Sequence, residues 1–301
     1  ADLAYRYEKN IYDDRNYYIV KIGAAEGLRA EKKNYTDNGL SINGYDKLYH
    51  YEKDERNLMY ESSAFYGSGQ LWFGESFRNS PATNFLELNL SDQITDTDLK
   101  AELVMAIRHN RSSRFYLTAN GENLSSEVAS AVTIGSTTGY YADYERLVHA
   151  WRPEEEVLSL GLNYPENGTA WLDYISASYK AQLNYDQNVA GGFRFSNTEA
   201  GNADTIEFEI NELPSSALAV RIGDDGKLTV LEIDNDRIAD ENEGVVYFYG
   251  IADLNALPSP GNAEVLENVD ILSQTDLDLL IIYPKVFEEQ ALRLAEHRRS
   301  F

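Results

Sequence analysis

Cysteine is missing from all 301 residues. Within this chain that excludes a thiolate nucleophile, thiolate metal sites and disulfides. The four histidines, His50, His109, His149 and His297, are too scattered to place two ligands on one helix face. His109 falls in a polar turn, His149 in a strand and His297 among basic residues, all positions suited to structural or solvent roles. No Gly-x-Ser-x-Gly elbow exists; Gly67-Ser68-Gly69 and the stretch Gly135 to Gly139 depart from it. Phosphate loops and dinucleotide fingerprints are also absent from the sequence.

Carboxylates are the remaining candidates. Glu207 and Glu209 stand two apart on one strand face, the arrangement a glycoside hydrolase on a jelly-roll would use. With 50 acidic residues in the chain, such a pair also arises by chance. Asp234, Asp236 and Asp240 alternate in a loop somewhat as calcium ligands do, without the EF-hand glycine and bidentate glutamate at their required spacing. They are the calcium candidates beside the plainer reading of a solvated acidic turn, and no other cofactor is indicated. Trp72, Trp151 and Trp171 suggest a sugar-stacking platform, but the apolar neighbours of Trp151 and Trp171 suit core packing. No catalytic constellation emerges.

The elements that would position these residues are mostly β. The chain carries 22 tyrosines and many Val, Ile and Thr, which favour strands, with recurrent Asn-Gly turns. Its formal net charge of −24 argues against nucleic acid as a partner. No apolar run approaches the length that spans a membrane. Ala1 in place of methionine fits a processed exported protein or a shortened chain equally.

Residues 1–80 read as a small N-terminal β region, with strands at Tyr17–Ile22 and Tyr45–Tyr51, an Asn43-Gly44 turn and the aromatic GSGQLWFGESF stretch. Residues 81–265 read as an antiparallel, jelly-roll-like sandwich. Its expected strands include Leu103–Ile107, Phe115–Thr118, Val128–Ile134, Tyr140–Trp151, Val157–Tyr164 and Trp171–Ile175, then Phe193–Phe195 and Thr205–Ile210. A hairpin over Ala217–Ile233, a strand at Val245–Tyr249 and the linker Pro258-Ser259-Pro260-Gly261 complete it. Residues 266–301 change character. Leu279–Ile282 is a continuous apolar run fit for a buried parallel strand, and helical spacing begins at Val286, with Glu288 and Glu289 opening the helix and Arg298 and Arg299 closing it. The expectation is the first strand–helix unit of a truncated α/β domain.

Several stretches, in order, resemble the non-catalytic region ahead of the peptidase domain in the gingipain-type cysteine peptidases, particularly the type IX secretion sortase branch of Bacteroidetes. They are NGYDKLY with GQLWFGESF (Asn43 to Phe77), AWLDYISASYKAQL (Ala170 to Leu183), GGFRFSN, DTIEFEINEL, and the closing DLDLLIIYPKVFEEQALRLAEHRRSF. The resemblance implies a caspase-like domain after Phe301 with a His–Cys pair for peptide hydrolysis or transpeptidation. It further implies a secreted or outer-membrane-surface location, and partners in that downstream domain, secretion-system proteins or protein substrates. None of the family's catalytic residues carries over: the cysteine is absent, and His297 lies on the first helix, not in the later histidine–glycine motif. This chain is therefore expected to be an inactive scaffold or docking region. The alternative is a stand-alone carbohydrate-binding sandwich.

Overall fold

The structure, a computed structural model, describes residues 29–58, 68–69, 71–136, 139–185, 193–223, 226–257 and 278–299, with single positions at 20, 23, 27 and 265. The expected strand Tyr17–Ile22, apart from Val20, and the Pro258–Gly261 linker lie outside them. In chain order the strands are β1 (Glu31–Lys33), β2 (Leu40–Ile42), β3 (Gly44–Glu52), β4 (Arg56–Asn57), β5 (Trp72–Phe73), β6 (Ser76–Phe77), β7 (Ser80–Asn89), β8 (Leu99–Arg108), β9 (Ser113–Ala119) and β10 (Glu122–Ala129). They continue as β11 (Asp143–Trp151), β12 (Val157–Tyr164), β13 (Thr169–Gln182), β14 (Phe193–Ser196), β15 (Thr205–Glu209), β16 (Ala217–Ile222), β17 (Leu228–Leu231), β18 (Arg237–Glu241) and β19 (Phe248–Asp253). The chain is mostly β, as expected, and ends in a helix.

Two sheets, β10-β9-β12-β7 and β11-β8-β13-β3, form the larger sandwich, with β6 added to β13. Successive strands from β7 to β13 largely alternate between them. The central strand β8 lies between β11 and β13, and residues on both of its faces are buried, Leu103, Met105 and Ile107 on one and Glu102, Val104 and Ala106 on the other. That is why its sequence reads as a nearly unbroken apolar run, with Leu103, Met105 and Ile107 fully buried on the core side. Between β9 and β10, Asn120 and Gly121 both take positive φ, the geometry of a tight hairpin whose twist matches the strands.

A second, smaller sandwich pairs the sheet β1-β17-β16-β19-β14 with β18-β15-β2. Phe195, Phe208 and Tyr249 fill the space between these sheets, with ring centroids 4.9–5.3 Å apart. Two of its pairings, β1 with β17 and β2 with β15, are parallel. Each brings the first fifty residues beside the last hundred of the sandwich region, and no local turn encodes either.

One contiguous hydrophobic core runs through both sandwiches. Asn43-Gly44, expected as a hairpin turn, is instead the crossing point between them, because β2 belongs to one sandwich and β3 to the other. Leu183 donates its N–H to the Asn43 carbonyl at 3.1 Å. A Cβ on Gly44 would lie 2.3 Å from Ile94 Cδ1, so glycine serves here for close approach. Further strands differ from expectation, β11 among them in starting at Asp143 rather than Tyr140. β10 runs over Glu122–Ala129 because it pairs directly with β9 from the tight turn, leaving 130–134 outside the ladder. β19 starts at Phe248 rather than Val245. β18 arises where an acidic loop was expected, because Asn235 and Asp236, both at positive φ, turn the chain back on itself.

Residues 258–301 form a separate compact unit. A single 3-10 turn at Lys285–Phe287 leads into α1 (Glu288–Arg299), with Glu288 and Glu289 in the first turn and His297, Arg298 and Arg299 in the last, as the charge order predicts. The run Leu279–Ile282, expected as a strand, joins no ladder among the described residues; Leu280 is 55% and Ile282 88% exposed. A strand exists only against a neighbour, and no described strand of this unit provides one.

Candidate functional site

A dense polar cluster lies on the outer face of the β11-β8-β13-β3 sheet, opposite the core. Register sets it up: on β13, Ser176 faces His50 of β3 on one side and Glu102 of β8 on the other. His50 Nδ1 lies 2.6 Å from Ser176 Oγ, and its Nε2 lies 3.0 Å from Glu52 Oε2. Glu102, only 4% exposed, accepts from Arg146 Nη2 at 2.6 Å and from the Tyr174 hydroxyl. Burial and the bond to Glu102 push the Tyr174 phenol up. Tyr144 of β11 donates to Asp173 Oδ2. Asp173 is 5% exposed, and burial, with Glu52 and Asp54 nearby, raises its carboxyl to about 6.

Serine, histidine and glutamate in a hydrogen-bonded row suggest a nucleophilic relay. The geometry does not support acyl transfer. Ser176 is 3% exposed, and its strand is laddered on both sides, which occupies the backbone N–H groups an oxyanion would need. What the row can do is satisfy buried polar groups and hold the four strands in register.

The predicted site residues fall elsewhere. Asp240 is 1% exposed on β18, pointing into the smaller sandwich. It accepts from Lys33 Nζ at 2.9 Å, Arg221 Nη1 at 3.1 Å and the Tyr249 hydroxyl at 3.0 Å. Burial and the Asp240 charge raise the Tyr249 phenol. Burial disfavours the Arg221 cation, but Asp240 outweighs it and the net shift is upward. Asp234 and Asp236 belong to the turn before β18. Among the described residues no three acidic or histidine side chains gather as metal ligands would, so the structure does not bring Asp234, Asp236 and Asp240 around one point.

Glu207 and Glu209 do share a face, but Arg237 lies against both, at 3.4 and 3.3 Å, and the Tyr35 hydroxyl also bonds Glu207. One guanidinium bridges both, with Glu207 buried and Glu209 half exposed. His109 is buried against Gly168, and His149 stacks on Trp151 at 5.7 Å. Trp171 packs with Leu58, Phe73 and Ala106, while Trp72 on β5 stays 44% exposed. Asp173, Glu102, Arg146 and the Lys33–Asp240–Arg221 group escaped the sequence reading. The signal for the first two was present: a lone acid inside each of the apolar runs LKAELVMAIR and AWLDYI.

Fold and site together define a β-sandwich protein with buried polar networks on rigid strands. No protein-family model and no curated protein sequence matches the chain. Its fold is similar to that of a solved structure, dimeric latent PorU from Porphyromonas gingivalis, with a TM-score of 0.56 and 18% identity, over 77% of this chain and 22% of that one. The chain thus spans about a fifth of the length of that structure, and the likeness is one of fold.

Proposed function

We propose that this chain is the non-catalytic β region that a gingipain-type cysteine peptidase of the type IX secretion sortase branch carries ahead of its peptidase domain. It serves there as a scaffold and docking module, at the cell surface or outside the cell. The observation that carries this reading is the fold likeness to latent PorU over 77% of the chain. The order of the sequence blocks supports it independently. So does the closing unit, whose α1 buries only Ala291 and leaves Leu279, Leu280, Phe287 and Leu292 more than half exposed, as the first elements of a larger α/β domain would. Residues 1–80, 81–265 and 266–301 remain our proposed division into N-terminal β region, sandwich and start of that domain.

In this reading the chain itself cleaves nothing, since it has no thiol. The parent's histidine–cysteine pair lies downstream, where the histidine would favour the thiolate that attacks a peptide carbonyl. Sequencing the source gene beyond Phe301 tests this. Further βα units, a histidine–glycine segment and a later cysteine are expected, and a stop codon soon after Phe301 would overturn it. A second reading, a carbohydrate-binding module, rests on the exposed Trp72 ring. Retardation in polysaccharide gels that disappears in Trp72→Ala would favour it instead.

A further inference from the structure

The bulge in β13 between Leu172 and Tyr174 shifts the strand by one residue. Leu172 and Ile175 therefore both enter the core, at 1% and 0% exposure, while Asp173 and Tyr174 both stand on the outer face. The carboxyl of Asp173 is buried there with one hydrogen-bond donor among the described residues, the Tyr144 hydroxyl, which reaches it from the edge strand β11 on the far side of β8. Among the described residues no cation is paired with it. Lys53, between Glu52 and Asp54, turns to Glu75 at 2.7 Å, and Arg146 is taken by Glu102 at 2.6 Å. The charges that act on Asp173 are those of Glu52 of β3 and Asp54 just beyond it, both acidic. Glu52 is bonded to His50, and Asp54 has an interaction of its own. From the other side Tyr174 and Glu102 approach Tyr144. A buried carboxylate with one neutral donor and two like charges beside it favours its protonated form.

We propose that Asp173 is a proton-operated latch on this face: neutral, it fits between the Tyr144 hydroxyl of β11 and the Glu52 end of β3; ionised, it adds a buried negative charge beside Glu52 and Asp54 and loosens those strand ends. The burial that raises its carboxyl to about 6 puts the transition between mildly acidic and neutral conditions. The latch is independent of what the parent protein does.

Two measurements on the purified chain test it together: carbon-13 NMR titration of aspartate carboxyls, and amide hydrogen-exchange protection along β3 and β11 from pH 5 to 8. Asp173 is expected to titrate well above the ordinary aspartate value of about 3.9. As it ionises, protection at the bulge-facing ends of both strands falls by up to about tenfold per pH unit, the limit for one proton. Asp173→Asn should flatten that pH dependence. Glu52→Gln, which keeps the carboxyl and removes a like charge, should move the Asp173 midpoint downward. Titration of Asp173 in the ordinary carboxylate range, an unmoved midpoint in Glu52→Gln, or the same loss of protection in Asp173→Asn would each overturn the latch.

Discussion

Asp240 and Asp173 are both buried carboxylates, and their surroundings give them opposite energetics. Lys33, Arg221 and Tyr249 all point at Asp240, so removing its charge leaves the two cations with only the exposed carboxylates Glu241 and Glu243, at 3.2 and 4.0 Å, among the described residues. Asp240→Ala is therefore expected to cost about 3–5 kcal/mol, read as a lower urea midpoint at unchanged slope. Asp173 behaves the other way. Its folded carboxyl is raised to about 6 from 3.8, so between those values the unfolded chain has released a proton that the folded chain keeps. Stability from this group is full below the lower value and is lost as pH rises through the folded one. Asp173→Asn should match the parent in urea unfolding near pH 3.5 and exceed it by about 1–3 kcal/mol at pH 8; equal stability at both pH values would contradict that origin. Asp173 is marked in the sequence as a lone acid in an apolar run, but spacing could not reveal the role of Asp240. The alternation of Asp234, Asp236 and Asp240 suggested a loop, whereas a turn after Asp234 makes Arg237–Glu241 a strand and sends Asp240 inward.

At the scale of elements, the narrowest tolerance lies where β12 crosses β7. The register slips between Leu160 and Gly161, and a Cβ on Gly161 would sit 2.1 Å from the Thr83 carbonyl oxygen. That obstacle is backbone, so the ladder itself must move. Gly161→Ala should destabilise by at least about 1–3 kcal/mol, visible as a lower melting temperature; an unchanged one would mean that the two strands separate freely here. Such a glycine reads in sequence only as an interruption of Leu160 and Leu162. The strands with local signals were legible: Val157–Tyr164 and Ala217–Ile222 have the bounds expected from alternation and flanking turns. The unread strands include β1, β2 and β18. The first two pair in parallel with partners far along the chain, and Lys33 reaches Asp240 across 207 positions. Pairing of that range leaves no period or turn in the local sequence, because its stabilisation comes from burial and a charge pair that exist only in the fold.

For the whole molecule, charge is the dominant unbalanced quantity. Twenty-six basic residues face 50 acidic ones, for a net −24. The cations are not spread as a screen. Lys33 and Arg221 serve Asp240, Arg146 serves Glu102, Lys47 serves Asp92, and Lys180 serves Asp46 and Glu199. Committing cations to these pairs leaves much of the remaining acidic charge to repel itself in the compact state. Two effects of salt then compete. Screening weakens exposed pairs such as Arg152 with Asp96 and Asp98, whose side chains are more than half exposed, but such pairs contribute only about 0–1 kcal/mol each. Buried pairs are screened far less, while long-range repulsion among surface carboxylates falls as the Debye length shrinks from about 30 Å at 0.01 M to about 10 Å at 0.1 M. Relief of repulsion should win. The melting temperature at pH 7.5 is expected to rise between 0.01 and 0.3 M sodium chloride, and to rise less in a variant with several exposed glutamates replaced by glutamine. A falling melting temperature would show that exposed ion pairs, rather than the buried ones, hold the sandwiches together.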